Sequence, residues 1–165
     1  MEAYRDSLTG VGSKAAYVNK VEEMNGQIKA GHKELGVVMV DLNNLKLIND
    51  EFGHKMGDSY IIGCCRLICE VFKHSPVYRI GGDEFVVILQ GADYENRHAL
   101  VDSLKKRYDE IMKNHDKEPW ERYSAAVGIA ELSSDDGTID LVFKRADRAM
   151  YRDKKRMKEV LGSYR

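Results

Sequence analysis

Proline is nearly absent: Pro76 and Pro119 are the only two in 165 residues. Both fall between periodic segments, so no helix or strand is expected to be broken from within. Cysteine is scarce too, with three residues crowded at Cys64, Cys65 and Cys69. That number and spacing argue against a disulfide framework and for a reducing compartment. A zinc site would need a fourth ligand and a paired C-x-x-C spacing that is missing, which favours buried thiols acting as small hydrophobes. Charge of one sign is lacking as well. At a net charge of −1 there is no overall basic field to recruit nucleic acid or a membrane surface, so any anion site must be local. No apolar run approaches the ~18 residues of a membrane span, and the first residues carry no signal-peptide pattern. Repeats, low-complexity tracts and linkers are also missing.

What remains is the balance of an ordinary globular chain, 43% apolar and 32% charged, of a length that suits one domain over residues 1–165. Ser13 can cap a first helix in which Tyr17, Val21, Met24 and Ile28 recur at helical spacing, and Gly31 ends it. Leu35 to Leu42 is a continuous apolar run interrupted only at Asp41, the pattern of a strand buried on both faces. A short helix is expected over 45–52, then a longer one with Ile61, Cys65, Ile68 and Phe72 on one stripe. Two short strands, 77–80 and 85–89, flank Gly81-Gly82-Asp83-Glu84 and read as a hairpin. A helix over 95–113, a strand over 122–132 and a last helix over 139–158 complete the chain.

After the first helix the order is β-α-α-β-β-α-β-α, an α+β arrangement whose centre is the ferredoxin-like β-α-β-β-α-β. In that topology the first strand runs antiparallel to the third and in the direction of the second. Its carboxyl end then lies at the same end of the sheet as the hairpin turn, so Asp41 should face Asp83 and Glu84. Carboxylates gathered there repel one another unless a cation or proton sits among them. Hard divalent ions are the natural occupants, magnesium especially where phosphates complete the shell. The plain alternative is that Asp41 caps the next helix and Gly-Gly-Asp-Glu is only a tight turn. Against it, Gly81 and Gly82 allow unusual backbone angles and close approach of a phosphate. The loop from Asp41 to the helix near Leu45 also offers free backbone N–H groups beside the acids.

The stretch Arg79-Ile-Gly-Gly-Asp-Glu-Phe85 resembles the signature for which GGDEF domains are named. Upstream, Asp41-Leu-Asn-Asn-Leu-Lys-Leu-Ile-Asn-Asp-Glu-Phe-Gly-His-Lys-Met-Gly-Asp58 is similar to that family's D-x-D-x-F-K-x-x-N-D-x-x-G-H-x-x-G-D segment. Asp6-Ser-Leu-Thr-Gly10 resembles its opening D-x-L-T-G, and Ala146-Asp-Arg-Ala-Met-Tyr151 with Lys154 its closing A-D-x-A-L-Y-x-x-K. The match runs from residue 6 to about 158 in order and spacing.

The resemblance implies a diguanylate cyclase with a palm-type central sheet, which condenses two GTP into cyclic di-GMP. Asp41, Asp83, the carbonyl of Leu42 and Glu84 would hold two Mg²⁺ ions per site, with Mn²⁺ as an alternative. Asp83 would also accept the proton of the attacking 3′-hydroxyl. Asn49 and Asp58 match the residues that read guanine: a carboxylate accepts from N1–H and N2–H₂, a pair of donors that adenine lacks. Either could instead be a helix cap, Asp58 for a helix starting at Ser59. His54 would shape the guanine pocket, Gly81 and Gly82 would border the phosphates, and Lys46, Lys154 and Lys158 would contact the triphosphate. The basic stretch 152–158 could equally be a solvated helix end. Arg79 is expected to brace the hairpin.

Departures from the family pattern are Asn43 for its second Asp, Leu45 for its Phe, Gly12-Ser13 after the opening motif, and Met157-Lys158-Glu159 at the close. The Arg-x-x-Asp product site of many members falls on Phe72 and Ser75 here. One GTP per domain implies a homodimer, at least a transient one. The chain is expected to be the cytoplasmic output domain of a longer sensor protein, one that can itself be membrane-anchored. Two other readings stay open: a GTP- or cyclic di-GMP-binding module without turnover, and a ferredoxin-like scaffold without nucleotide.

Overall fold

A computed structural model describes residues 2–160 and 162. The first helix, α1 (Lys14–Lys29), begins where the Ser13 hydroxyl accepts from the Ala16 N–H, and stops before Gly31, whose φ of 92° no side-chain-bearing residue readily adopts. Strand β1 (Gly36–Leu42) follows, then α2 (Leu45–Phe52) and α3 (His54–Val71). The hairpin is β2 (Val77–Arg79) and β3 (Glu84–Leu89). Two further helices, α4 (Gly91–Glu95) and α5 (Arg97–Met112), lead to β4 (Ala125–Glu131) and α6 (Ile139–Val160).

The strands form one antiparallel sheet in the order β2-β3-β1-β4, as the ferredoxin-like reading requires. Alternation along β1 splits the core. Val38, Val40 and Leu42 pack with Ile61, Cys65, Ile68 and Phe72 of the α3 side, while Val37 and Met39 pack with Met24 of α1 and with Ala146 and Met150 of α6. Each such side chain, fully buried, contributes roughly 1.5–3 kcal/mol. Gly128 on β4 fixes the seat of α6: a Cβ there would lie 2.1 Å from the Met150 backbone nitrogen. Only glycine lets the helix come that close to the sheet.

Three boundaries differ from the sequence reading. The helix expected over 95–113 begins at Arg97 as α5, after a separate short helix, α4, that Asn96 closes by donating its side-chain amide to the Ala92 carbonyl. The last strand begins at Ala125, because Arg122 turns inward and donates to the Met112 carbonyl, preceded by a 3₁₀ turn at Pro119–Glu121. Glu84 belongs to β3, its carbonyl accepting from the Ile80 N–H at 2.9 Å, so the turn proper is shorter than expected.

Candidate active site

The sheet register sets Asp41 directly opposite Glu84, and the Leu42 N–H donates to the Asp83 carbonyl at 2.8 Å. The three acids therefore meet at one end of the sheet, as the topology predicts. One cation is already among them: Lys154 of α6 donates to Asp41 Oδ2 at 2.6 Å. The other oxygen, Asp41 Oδ1, is buried with no hydrogen-bond partner. Burial pushes the Asp41 carboxyl above the usual carboxylate range; Lys154 pulls it down, and the charges of Asp83 and Asp147 push it up again. Glu84 is raised for the same reasons, burial first and then Asp41, Asp83 and Asp147. Asp147 entered the sequence reading only as part of the closing motif, with no role at the site. It stands one heptad before Lys154 on the same face of α6, and in the sequence it is one surface acid among many.

Among the described residues no three acidic, histidine or cysteine side chains close into a complete metal cluster. The set fits a divalent ion nonetheless. A half-buried carboxylate with one unpartnered oxygen, next to two more acids, is under-neutralised by a single lysine. Beside the acids opens a cleft of about 490 Å³ lined by Leu42, Asn44, Lys46, Asp83, Lys154 and Lys158. All three lysines of the sequence reading thus border one cleft with Asp83. Lys46 is exposed and pairs with Asp50 one turn on, at 3.1 Å; Lys158 is exposed.

Buried bonds hold the floor of this cleft. The Tyr60 hydroxyl donates to the Asn43 carbonyl at 2.7 Å and accepts from the Ser124 N–H at 3.0 Å. The Asn43 amide donates to Ser124 Oγ at 3.0 Å. Asn44, at the start of α2, takes a left-handed φ of 68° and leaves its Nδ2 buried and unpartnered. Neither Tyr60 nor Asn44 stands out in the sequence.

The hairpin is braced as expected. Arg79 donates to the Gly82 carbonyl through Nη2 at 2.8 Å, and its Nη1 meets Asp6 at 3.2 Å. The Thr9 N–H and hydroxyl donate to Asp6 at 2.9 and 2.6 Å, which ties the opening motif to the turn. Burial raises Asp6, yet these bonds prevail and hold its carboxyl below the ordinary value. Gly81 and Gly82 adopt no left-handed φ, which corrects the expectation of unusual backbone angles; what Gly82 supplies is open space, with nothing within 4 Å of where its Cβ would be.

Asn49, His54 and Asp58 lie apart from the lining of that cleft, at the corner between α2 and α3. His54 is the first residue of α3 and exposed. Asp58 is exposed in the second turn, so it is no cap for a helix beginning at Ser59. Asn49 lies inside α2, and its Oδ1 rests on Gly57, where a Cβ would come within 1.7 Å.

The family profile described as "Diguanylate cyclase, GGDEF domain" matches residues 3–160. The chain is 30% identical over 158 residues to the diguanylate cyclase DgcP of Escherichia coli, covering 93% of this chain and 45% of that protein. It is 27% identical to a diguanylate cyclase of Vibrio cholerae, covering 99% of this chain and 50% of that one. The chain thus spans about half the length of these curated relatives. Among solved structures, the GGDEF domain of DgcB from Caulobacter crescentus, in complex with c-di-GMP, superposes with a TM-score of 0.78 at 22% identity, over 94% of this chain and 92% of that one. That likeness carries the fold.

Proposed function

Since the chain belongs to the diguanylate cyclase GGDEF-domain family, we propose that it condenses two GTP into cyclic di-GMP and releases two pyrophosphates. The observation that carries this reading is the pairing of Asp41 with Glu84 next to Asp83, at the mouth of a cleft bordered by Lys46, Lys154 and Lys158. On this reading the lysines hold the triphosphate as point charges. Asp83 accepts the proton of the 3′-hydroxyl as its oxygen attacks the α-phosphorus of the second GTP, and pyrophosphate leaves. Asp41, Asp83, Glu84 and the Leu42 carbonyl would hold divalent ions, Mg²⁺ by preference and two per site. When bound, such ions stabilise the entering and leaving oxygens. Asn49 and Asp58 select guanine, with His54 at the edge of their pocket, and Gly81 and Gly82 border the phosphates.

Each domain holds one GTP, so two copies must face each other. We assign the chain to the cytoplasm as the output part of a longer protein; among its described residues no helix is long and apolar enough to cross a membrane. The test is mass spectrometry of products from GTP and Mg²⁺ over a range of protein concentrations. Cyclic di-GMP is expected, at a specific activity that rises with protein concentration until the dimer saturates. GTP left intact at high protein concentration, although it binds, would overturn turnover in favour of a binding module. Loss of the product in Asp83→Asn with an unchanged melting temperature separates the active site from the fold.

A further inference from the structure

We infer that Tyr60, a fully buried residue of α3, is a positioning residue for the triphosphate: its hydroxyl fixes the peptide between Asn43 and Asn44 so that the Asn44 N–H faces the cleft. The inference rests on the nucleotide reading above and deepens it.

Three observations carry it. First, the hydroxyl is committed to backbone on two sides of one corner. It donates to the Asn43 carbonyl, just past the end of β1, at 2.7 Å, and accepts from the Ser124 N–H, just before β4, at 3.0 Å. Tyr60 is 0% exposed, so a phenylalanine would fill the same core. What the oxygen adds is a hold on these two backbones.

Second, that hold sets a direction. The peptide is trans and planar, so the Asn44 N–H points opposite to the Asn43 carbonyl. With the carbonyl drawn toward the buried Tyr60, the N–H turns outward, where residues 42–47 line the cleft. Among the described residues the N–H groups of Asn44, Leu45, Lys46 and Leu47 bond to no acceptor. They stand beside the three lysines, and their aim depends on how the chain leaves β1.

Third, this connection does not fix itself. Asn44 is the one non-glycine residue with a left-handed φ among the described residues; it caps α2 without a side-chain hydrogen bond, and its Nδ2 is buried without a partner. Backbone in that region persists only where its surroundings impose it. Asn43 is anchored to Ser124 by its N–H at 2.8 Å and its side-chain amide at 3.0 Å. Tyr60 is the tie that reaches the carbonyl of the turning peptide itself.

The test compares two hydroxyl deletions in the full chain. Tyr108 is also fully buried, and its hydroxyl donates to the Cys64 carbonyl at 2.7 Å, away from the cleft. Calorimetry with Mg²⁺ measures the affinity for GMP and for α,β-methylene GTP, which cannot release pyrophosphate. Tyr60→Phe should bind the triphosphate roughly five- to tenfold more weakly and GMP as before. In initial-rate assays it should raise the KM for GTP while kcat stays within about twofold. Tyr108→Phe should lower Tm to a similar degree and change neither affinity. A triphosphate-over-GMP preference in Tyr60→Phe equal to the parent's, or a loss matched by Tyr108→Phe, would overturn the role of Tyr60. Where Tyr60→Phe does not fold, Ser124→Ala decides: removing the anchor of the Asn43 amide should weaken the triphosphate about two- to threefold, and an unchanged preference would overturn the inference. A parent that binds the triphosphate no better than GMP would overturn the triphosphate reading and this inference with it.

Discussion

Asp41→Asn should make the protein more stable and nearly inactive. The carboxylate sits with Oδ2 on Lys154 at 2.6 Å and Oδ1 buried without a partner. Leaving a buried acceptor unmade costs about 1–3 kcal/mol. The ion pair, partly buried at both ends, returns about 1 kcal/mol, and Asp83 and Asp147 add repulsion. An asparagine keeps the shape, still offers Lys154 an oxygen, removes the repelled charge and puts an amide donor among the acids where the orphan acceptor stood. A net gain of about 1 kcal/mol follows, a rise in Tm of about 2–4 °C for a chain of this size. The sign of the pH dependence is fixed. A carboxyl raised in the folded state favours folding when protonated, and that contribution is lost as pH rises through its folded pKa. The advantage of Asp41→Asn is thus present at neutral pH and vanishes on acidification through the elevated range of Asp41. Turnover moves the other way. Weakening a charge stabilisation of several kcal/mol should cut the rate by roughly 100-fold or more, at 1.36 kcal/mol per decade. Differential scanning fluorimetry with and without Mg²⁺ checks both halves: the parent's Mg²⁺-induced rise in Tm should shrink in the variant. A variant more than 1 kcal/mol less stable than the parent, with its Mg²⁺ response intact, would refute the reasoning.

Three further outcomes follow from the same geometry. Asp58→Ala should weaken GTP binding by about 1–3 kcal/mol, seen by calorimetry, with little change in Tm because Asp58 is exposed and caps nothing; equal affinity would remove it from the guanine site. Gly57→Ala adds about 1 kcal/mol of helix propensity but drives a methyl to 1.7 Å from Asn49 Oδ1, so the preference for GTP over ATP should fall while the helix content holds. Added cyclic di-GMP should not inhibit through the Phe72 and Ser75 positions, since Phe72 is 1% exposed in the core and Ser75 donates to Asp93 at 2.7 Å; strong non-competitive inhibition in an initial-rate assay would place product on another surface.

The meeting of Asp41 with Glu84 was legible because it depends only on strand order and register, and both follow from apolar periodicity. The Ser13 cap and the Arg79 brace were legible for a similar reason, since each is local or sits next to a turn. Long-range neighbours were not legible. Asp147 reaches the acids only because Gly128 lets α6 lie on β4, and no pattern within the helix reports that. The Tyr60 clasp on Asn43 and Ser124 spans 17 and 64 residues, and in the sequence Tyr60 is one more apolar position. The left-handed Asn44 is invisible for a different reason: its strain belongs to a connection, fixed by what β1 and α2 require at either end.

These long-range ties join the motifs at the two ends of the chain to the hairpin. The sheet places Glu84 by register and holds the Asp83 carbonyl on the Leu42 N–H, which leaves the Gly81-Gly82 part of the turn to be fixed from outside the sheet. The opening segment does this: Asp6 is held by Thr9, and Arg79 spans from Asp6 to the Gly82 carbonyl. The closing helix supplies the opposing constraint. Its backbone is seated against Gly128, which fixes the height at which Lys154 meets Asp41. One tie steadies the turn next to Asp83 and the other sets where the positive charge meets Asp41. A repelling acid cluster is therefore held together by structure on both sides, with a single lysine among the acids and room for the charge of a divalent cation.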